Sequence, residues 1–102
     1  DKEIQKQLAE AHALRDQGRF DQAIAAYQDI RSRNPKLTAM HLVIGHAYRT
    51  RAEKETDPAA RRTYLERAVE SLAEAARADD ASTRAKLELA SAEEAMASIA
   101  VR

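Results

Sequence analysis

The side chains with the widest chemical reach in this 102-residue chain are its three histidines, His12, His41 and His46. His12 and His46 stand 34 positions apart, and each is followed three residues later by an arginine, Arg15 and Arg49. Neutral imidazoles bind transition metals and titrate near pH 6.5, so a histidine pair invites a metal or proton-switch reading. No third ligand accompanies the pair, and His41 and His46, five apart, do not share a helical face. The histidines are therefore expected to be structural or to line a surface, with no metal and no cofactor. The acids Glu53, Glu55, Glu93 and Glu94 lie in helix-forming stretches, where paired carboxylates are solvated surface. Without a nucleophile–base arrangement or a glycine-rich phosphate loop, no catalysis is expected. Cysteine is absent, which removes thiolate metal sites, disulfides and a cysteine nucleophile together.

The charges point the same way. Seventeen Lys and Arg balance seventeen Asp and Glu, whereas nucleic-acid binding shows as a basic surplus. The basic clusters Arg31, Arg33, Lys36 and Arg49, Arg51, Lys54 are interleaved with acids or polar residues and have no aromatic stacking partners beside them. They read as solvated helix faces, not as an RNA site. No apolar run approaches the roughly 18 residues of a membrane span, so neither nucleic acid nor membrane is an expected partner. The chain starts at Asp1 without a signal-peptide pattern, which reads as an excised domain or a processed product, and localisation is not encoded.

What must position these residues is a set of helices. The apolar content comes largely from Ala and Leu, one third of the residues are charged, and there are two glycines, too few for the turns of an all-β fold. Ile4, Leu8, Ala11 and Leu14 form an apolar stripe over about residues 2–17, which Gly18 stops. Asp21 is the expected N-cap of a second helix carrying Ala23, Ile24, Tyr27 and Ile30 and ending before Asn34-Pro35. A third helix starts at about Lys36 or Thr38, carries Met40, Val43, Ile44, Ala47 and Tyr48, and runs on through Glu55. Asp57-Pro58 caps a fourth; Asp79 or Asp80 opens a fifth with Leu87, Leu89, Ala92, Met96 and Ile99.

Two consecutive helical hairpins invite a search for a repeat. From Ala11 to Pro35, a small Ala11, Gly18 and Phe20 at the turn, then Ala23, Tyr27 and Pro35 resemble the tetratricopeptide repeat. Ile44, Gly45, Ala47 and Tyr48 resemble the first helix again, with Gly45 falling 34 after Ala11, the period of that family. Ala68, Leu72 and Ala75 resemble its second helix. The resemblance implies an all-α domain of antiparallel hairpins stacked as a short right-handed superhelix: repeat one over about 2–35, repeat two over about 36–79 and a terminal helix over about 81–101. Gln7 and His41 stand at the family's tryptophan-type position, and Glu93 where an aromatic is usual. The small residue of the second helix recurs at Ala68 instead of 57, an insertion of eleven residues. Eleven residues are close to three helical turns, so the second hairpin is expected to be lengthened, about equally in both arms, and to protrude.

The resemblance also implies a non-catalytic module that takes a protein or peptide in a concave groove lined by Leu8, His12, Arg15, Leu42, His46, Arg49, Arg84 and Leu87. His12 and His46, on neighbouring repeats, would lie about 8–10 Å apart, too far to share an ion. Leucines flanked by arginines suit an amphipathic or acidic peptide. The competing expectation is structural: Leu89, Met96, Ile99 and Val101 of an unpartnered fifth helix would meet another copy, and end-to-end stacking would follow.

Overall fold

The computed structural model describes residues 1–100. Five helices follow one another: α1 (Lys2–Asp16), α2 (Phe20–Arg33), α3 (Ala39–Glu53), α4 (Pro58–Ala78) and α5 (Thr83–Ala100). There is no strand among the described residues. Each helix packs on the next in sequence, and α3 also meets α5.

The caps explain most boundaries. Asp1 accepts a hydrogen bond from the Glu3 N–H at 2.8 Å and opens α1. Gly18 ends it with φ +80, a left-handed conformation that glycine adopts without strain, while the Gly18 and Arg19 amides return to the carbonyls of Arg15 and Leu14. Asp57 caps α4 by accepting from the Ala60 N–H at 3.0 Å, with Pro58 as the first helical residue, as expected. Other boundaries differ. Asp21 is not the cap of α2; Arg19 occupies that position without a side-chain bond, and Asp21 turns instead towards Tyr64 and Arg51. The third helix ends at Glu53, because Glu55 folds into the turn, where its carbonyl accepts two hydrogen bonds from the Arg61 guanidinium. Asp79 closes α4 instead of opening α5, which is capped by Ser82 through the Ala85 N–H.

The α3–α4 pair is longer than the α1–α2 pair, and the two arms differ in how much. The third helix runs eight residues past Gly45 where α1 runs five past Ala11, whereas α4 has ten residues ahead of Ala68 and α2 has three ahead of Ala23. Of the eleven extra residues, seven fall in α4, three in α3 and one in the turn between them. Tyr64 bonds Asp21, so the residues of α4 before Tyr64 extend beyond the start of α2. That extension is not bare: Arg61 and Leu65 share a hollow with Ala95, Ser98 and Ile99 of α5.

Small and large residues divide the core between them. Ala11, Ala23, Ala68 and Ala92 have no exposed surface, and Tyr27, Ile30 and Leu72 are the largest fully buried side chains. At Gly45, α3 and α4 approach closely. A Cβ on Gly45 would lie 2.6 Å from Leu72 Cγ and 3.2 Å from its backbone nitrogen. Leu72 is completely buried, so it has nowhere to swing, and the extra methyl is expected to cost about 1–3 kcal/mol of overpacking. Helix propensity returns about 1 kcal/mol of that for Gly→Ala. Gly45→Ala is accordingly expected to lower the melting temperature. Because Leu72→Ala removes the obstacle, the double variant should be more stable than the sum of the two single losses predicts, by at least about 0.5 kcal/mol. Strictly additive losses in thermal denaturation would show that this contact does not set the helix spacing.

Candidate functional site

His46 and Arg49 lie three residues apart on α3, which places them on neighbouring turns of one face. Opposite them, on α5, stands Glu88. Arg49 donates from Nε to one Glu88 oxygen at 2.9 Å and from Nη2 to the other at 3.5 Å. His46 Nδ1 lies 3.1 and 3.3 Å from the same two oxygens, and because an ionised carboxylate only accepts, Nδ1 carries the hydrogen. The remaining Arg49 donor, Nη1, reaches Glu53 at 3.1 Å. The Glu88 side chain is 12% exposed. That burial pushes its carboxyl up, but the hydrogen bonds from His46 and Arg49 and the charge of both outweigh it, and the group is held below the usual carboxylate range.

Beside this cluster Arg49, Thr83, Arg84, Leu87, Glu88 and Ser91 line a hollow of about 430 Å³. Leu87 is 66% exposed, and among the described residues it is the one large apolar side chain left in water. Arg84 is exposed and makes no ion pair among the described residues. The arrangement offers an apolar anchor and an uncommitted guanidinium next to a pre-paired charge cluster.

The other residues expected to line the groove are dispersed. Leu42 belongs to a smaller hollow of about 130 Å³ with Ala75, Ala78 and Ala85, at the start of α3 and the turn into α5. Leu8 is half-buried against the core. The His12 ring is turned to α2, its Nδ1 2.5 Å from the Tyr27 hydroxyl, and Arg15 is engaged by its neighbour Asp16. Of the eight, His46, Arg49, Arg84 and Leu87 share one place. Their cationic character is lower than the sequence suggests, because Glu88 and Glu53 already answer Arg49. The apolar stripe of α5 faces inward: Ala85 and Ala92 are buried, Leu89 packs against the core, and Met96 and Ile99 are half-buried. Val101 lies outside the described residues. The outer side of α5 carries exposed Lys86, Ala90, Glu93, Glu94 and Ala97.

Two participants escaped the sequence reading. Glu88 is 42 positions from His46, and nothing in its neighbourhood marks it until the registers of α3 and α5 are laid side by side. The Tyr27 hydroxyl was legible as a core aromatic but not as a partner for His12. A larger hollow of about 610 Å³ lies on another face of α3, between α2 and α4, where Arg31, Arg77 and His41 mix with Glu70 and Glu74 over Ile44 and Val69; its charges are of both signs and no large apolar side chain is exposed in it. Among the described residues, no group of three or more histidines and acids is placed to hold a metal ion, and no helix is long and apolar enough to cross a membrane.

His12 gives a pH signature. Burial lowers the His12 pKa, Arg15 lowers it further and Asp16 opposes both, so the folded protein resists a proton that the unfolded chain accepts near pH 6.5. The stability this contributes is complete above that value and declines as the pH falls through it towards the lower folded pKa. The melting temperature is expected to drop between pH 7.5 and 5.5, with a smaller slope in His12→Gln; equal slopes would refute the burial argument.

No protein-family model, no curated protein and no solved structure matches the chain.

Proposed function

We propose that the chain is a non-catalytic interaction module, a short tetratricopeptide-like superhelix that holds a peptide or protein partner against the α3–α5 face. The observation that carries this reading is Leu87, a leucine two-thirds exposed at the rim of a hollow otherwise lined by polar and charged groups. Binding energy at interfaces concentrates in a few desolvated anchors ringed by near-neutral contacts, and a leucine beside an unpaired arginine supplies one such anchor with a charged neighbour. The matching ligand has an apolar side chain followed by an acid. Further support comes from the 34-residue spacing of the buried Ala11 and Gly45 and from the two antiparallel hairpins. The stacking alternative has less behind it, because the outward side of α5 is charged, a surface of the kind that closes a helical array.

The test is selection of peptides from a random display library on the purified chain, followed by affinity measurement with variants. Leu42→Asp is a poor probe, since Leu42 packs on the core and its loss would disturb the fold. Leu87→Asp leaves the core untouched and is expected to weaken a selected peptide by about 30-fold or more, the scale of a hot-spot residue. Arg84→Ala should weaken it less and reduce its salt dependence. Selected peptides indifferent to both substitutions would place the partner elsewhere. Sedimentation showing concentration-dependent polymers that Leu87→Asp does not dissolve would favour stacking.

A further inference from the structure

Glu88 differs from the other acids of α5. Glu93 and Glu94 are exposed, whereas Glu88 is drawn inward onto α3. It is received there by two guanidinium N–H groups and one imidazole N–H, which is how a protein site holds a carboxylate brought from outside. The receiving groups belong to α3 alone. They are fixed independently of α5: Arg49 by its bond to Glu53 one turn on, and the α3 backbone by its packing on α2 and α4. The contact between α3 and α5 is slight, and α5 is seated mainly on α4, with Ala85 and Ala92 buried and Leu89 packed against the core. Removing the Glu88 carboxylate therefore leaves both the receptor and the helix that filled it in place.

We propose that Arg49 and His46 form a carboxylate-binding site that Glu88 occupies from within the chain, and that an external carboxylate exchanges with it. The cluster sits at the edge of the surface, with side-chain exposures of 23% for Arg49 and 33% for His46, so a ligand reaches it from solvent. At such exposure an ion pair is weak enough to be traded. The tethered Glu88 acts at an effective concentration on the order of millimolar or above. A lone carboxylate competes poorly against it, and one attached to a second contact, such as an apolar group on Leu87 in the wall of the same hollow, competes well. Glu88 is then an internal stand-in: it keeps the α3 donors Arg49 and His46 from binding acids indiscriminately and releases them to a ligand that also satisfies its surroundings.

The experiment uses the full chain carrying Glu88→Ala, with sodium acetate as the probe and sodium chloride at equal ionic strength as the control. Acetate does not engage Leu87 as a peptide would, so failure here is separate from failure of the partner reading. The variant is expected to gain about 2 °C or more in melting temperature from acetate over chloride, with chemical-shift changes at the Arg49 Nε–H and the His46 ring, while the natural chain responds to the two salts alike. Adding Arg49→Leu to the variant should abolish the difference. Should Glu88→Ala not melt cooperatively, Glu88→Gln takes its place, since a neutral amide leaves the cations uncompensated while keeping the side chain's shape. Equal responses to acetate and chloride in the folded variant, or an acetate effect that survives without Arg49, would overturn the proposal.

Discussion

The distance between α3 and α4 is the constraint on which the remaining geometry depends. Gly45 has no side chain, and Leu72 fills the space a Cβ would need, down to contact with its own backbone. The third helix is the middle of the array, touching α2, α4 and α5. Where α4 lies against it determines where α5, seated on α4, can lie in turn. Glu88 reaches Arg49 at hydrogen-bond distance because that chain of placements closes; a wider α3–α4 gap would carry α5 with it. Close packing transmits such shifts because interiors have few voids to absorb them. The alanines Ala11, Ala23, Ala68 and Ala92 serve the same purpose at the other helix contacts.

What the sequence disclosed and what it withheld follow from the range over which each signal acts. Ala11 and Gly45, Gly18 before Phe20, and Asp57-Pro58 are local patterns, and the helices they mark lie where the patterns put them. The uneven lengths of α3 and α4 were not legible, because eleven more residues keep the apolar stripes in phase however they are divided, and the division is decided by tertiary contacts such as Tyr64 on Asp21 and Arg61 on the Glu55 carbonyl. The site was half legible for the same reason. Arg49, His46, Arg84 and Leu87 could be nominated from the family resemblance, but the acid that binds two of them comes from a helix about forty residues away, and its register is a property of packing.

Part of the electrostatic neutrality read from composition is local, in pairs of near neighbours. Arg33 pairs with Asp29 and Arg62 with Glu66, each four apart on its own helix, and Arg51 of α3 pairs with Glu55 in the turn that follows. Pairs of this kind contribute only about 0.3–0.5 kcal/mol apiece. More consequential is the junction between hairpins, where Arg51 lies over the Tyr64 ring at 4.5 Å and pairs with Asp21, which also accepts from the Tyr64 hydroxyl. Gln28 donates to the Tyr48 hydroxyl at 2.7 Å nearby. These polar contacts fix the angle at which the first hairpin meets the second, a task that alanine-rich helix surfaces perform weakly.

The order of packing, each helix on its successor, also bears on how quickly the molecule forms. Every extensive contact joins elements adjacent in the chain, and the one that skips an element, α3 with α5, is slight. Loops of four or five residues separate the later helices, so little chain entropy is lost in bringing any two partners together. Topologies of this kind reach the native state on a scale of about microseconds to milliseconds. Growth can start at either hairpin and advance one helix at a time.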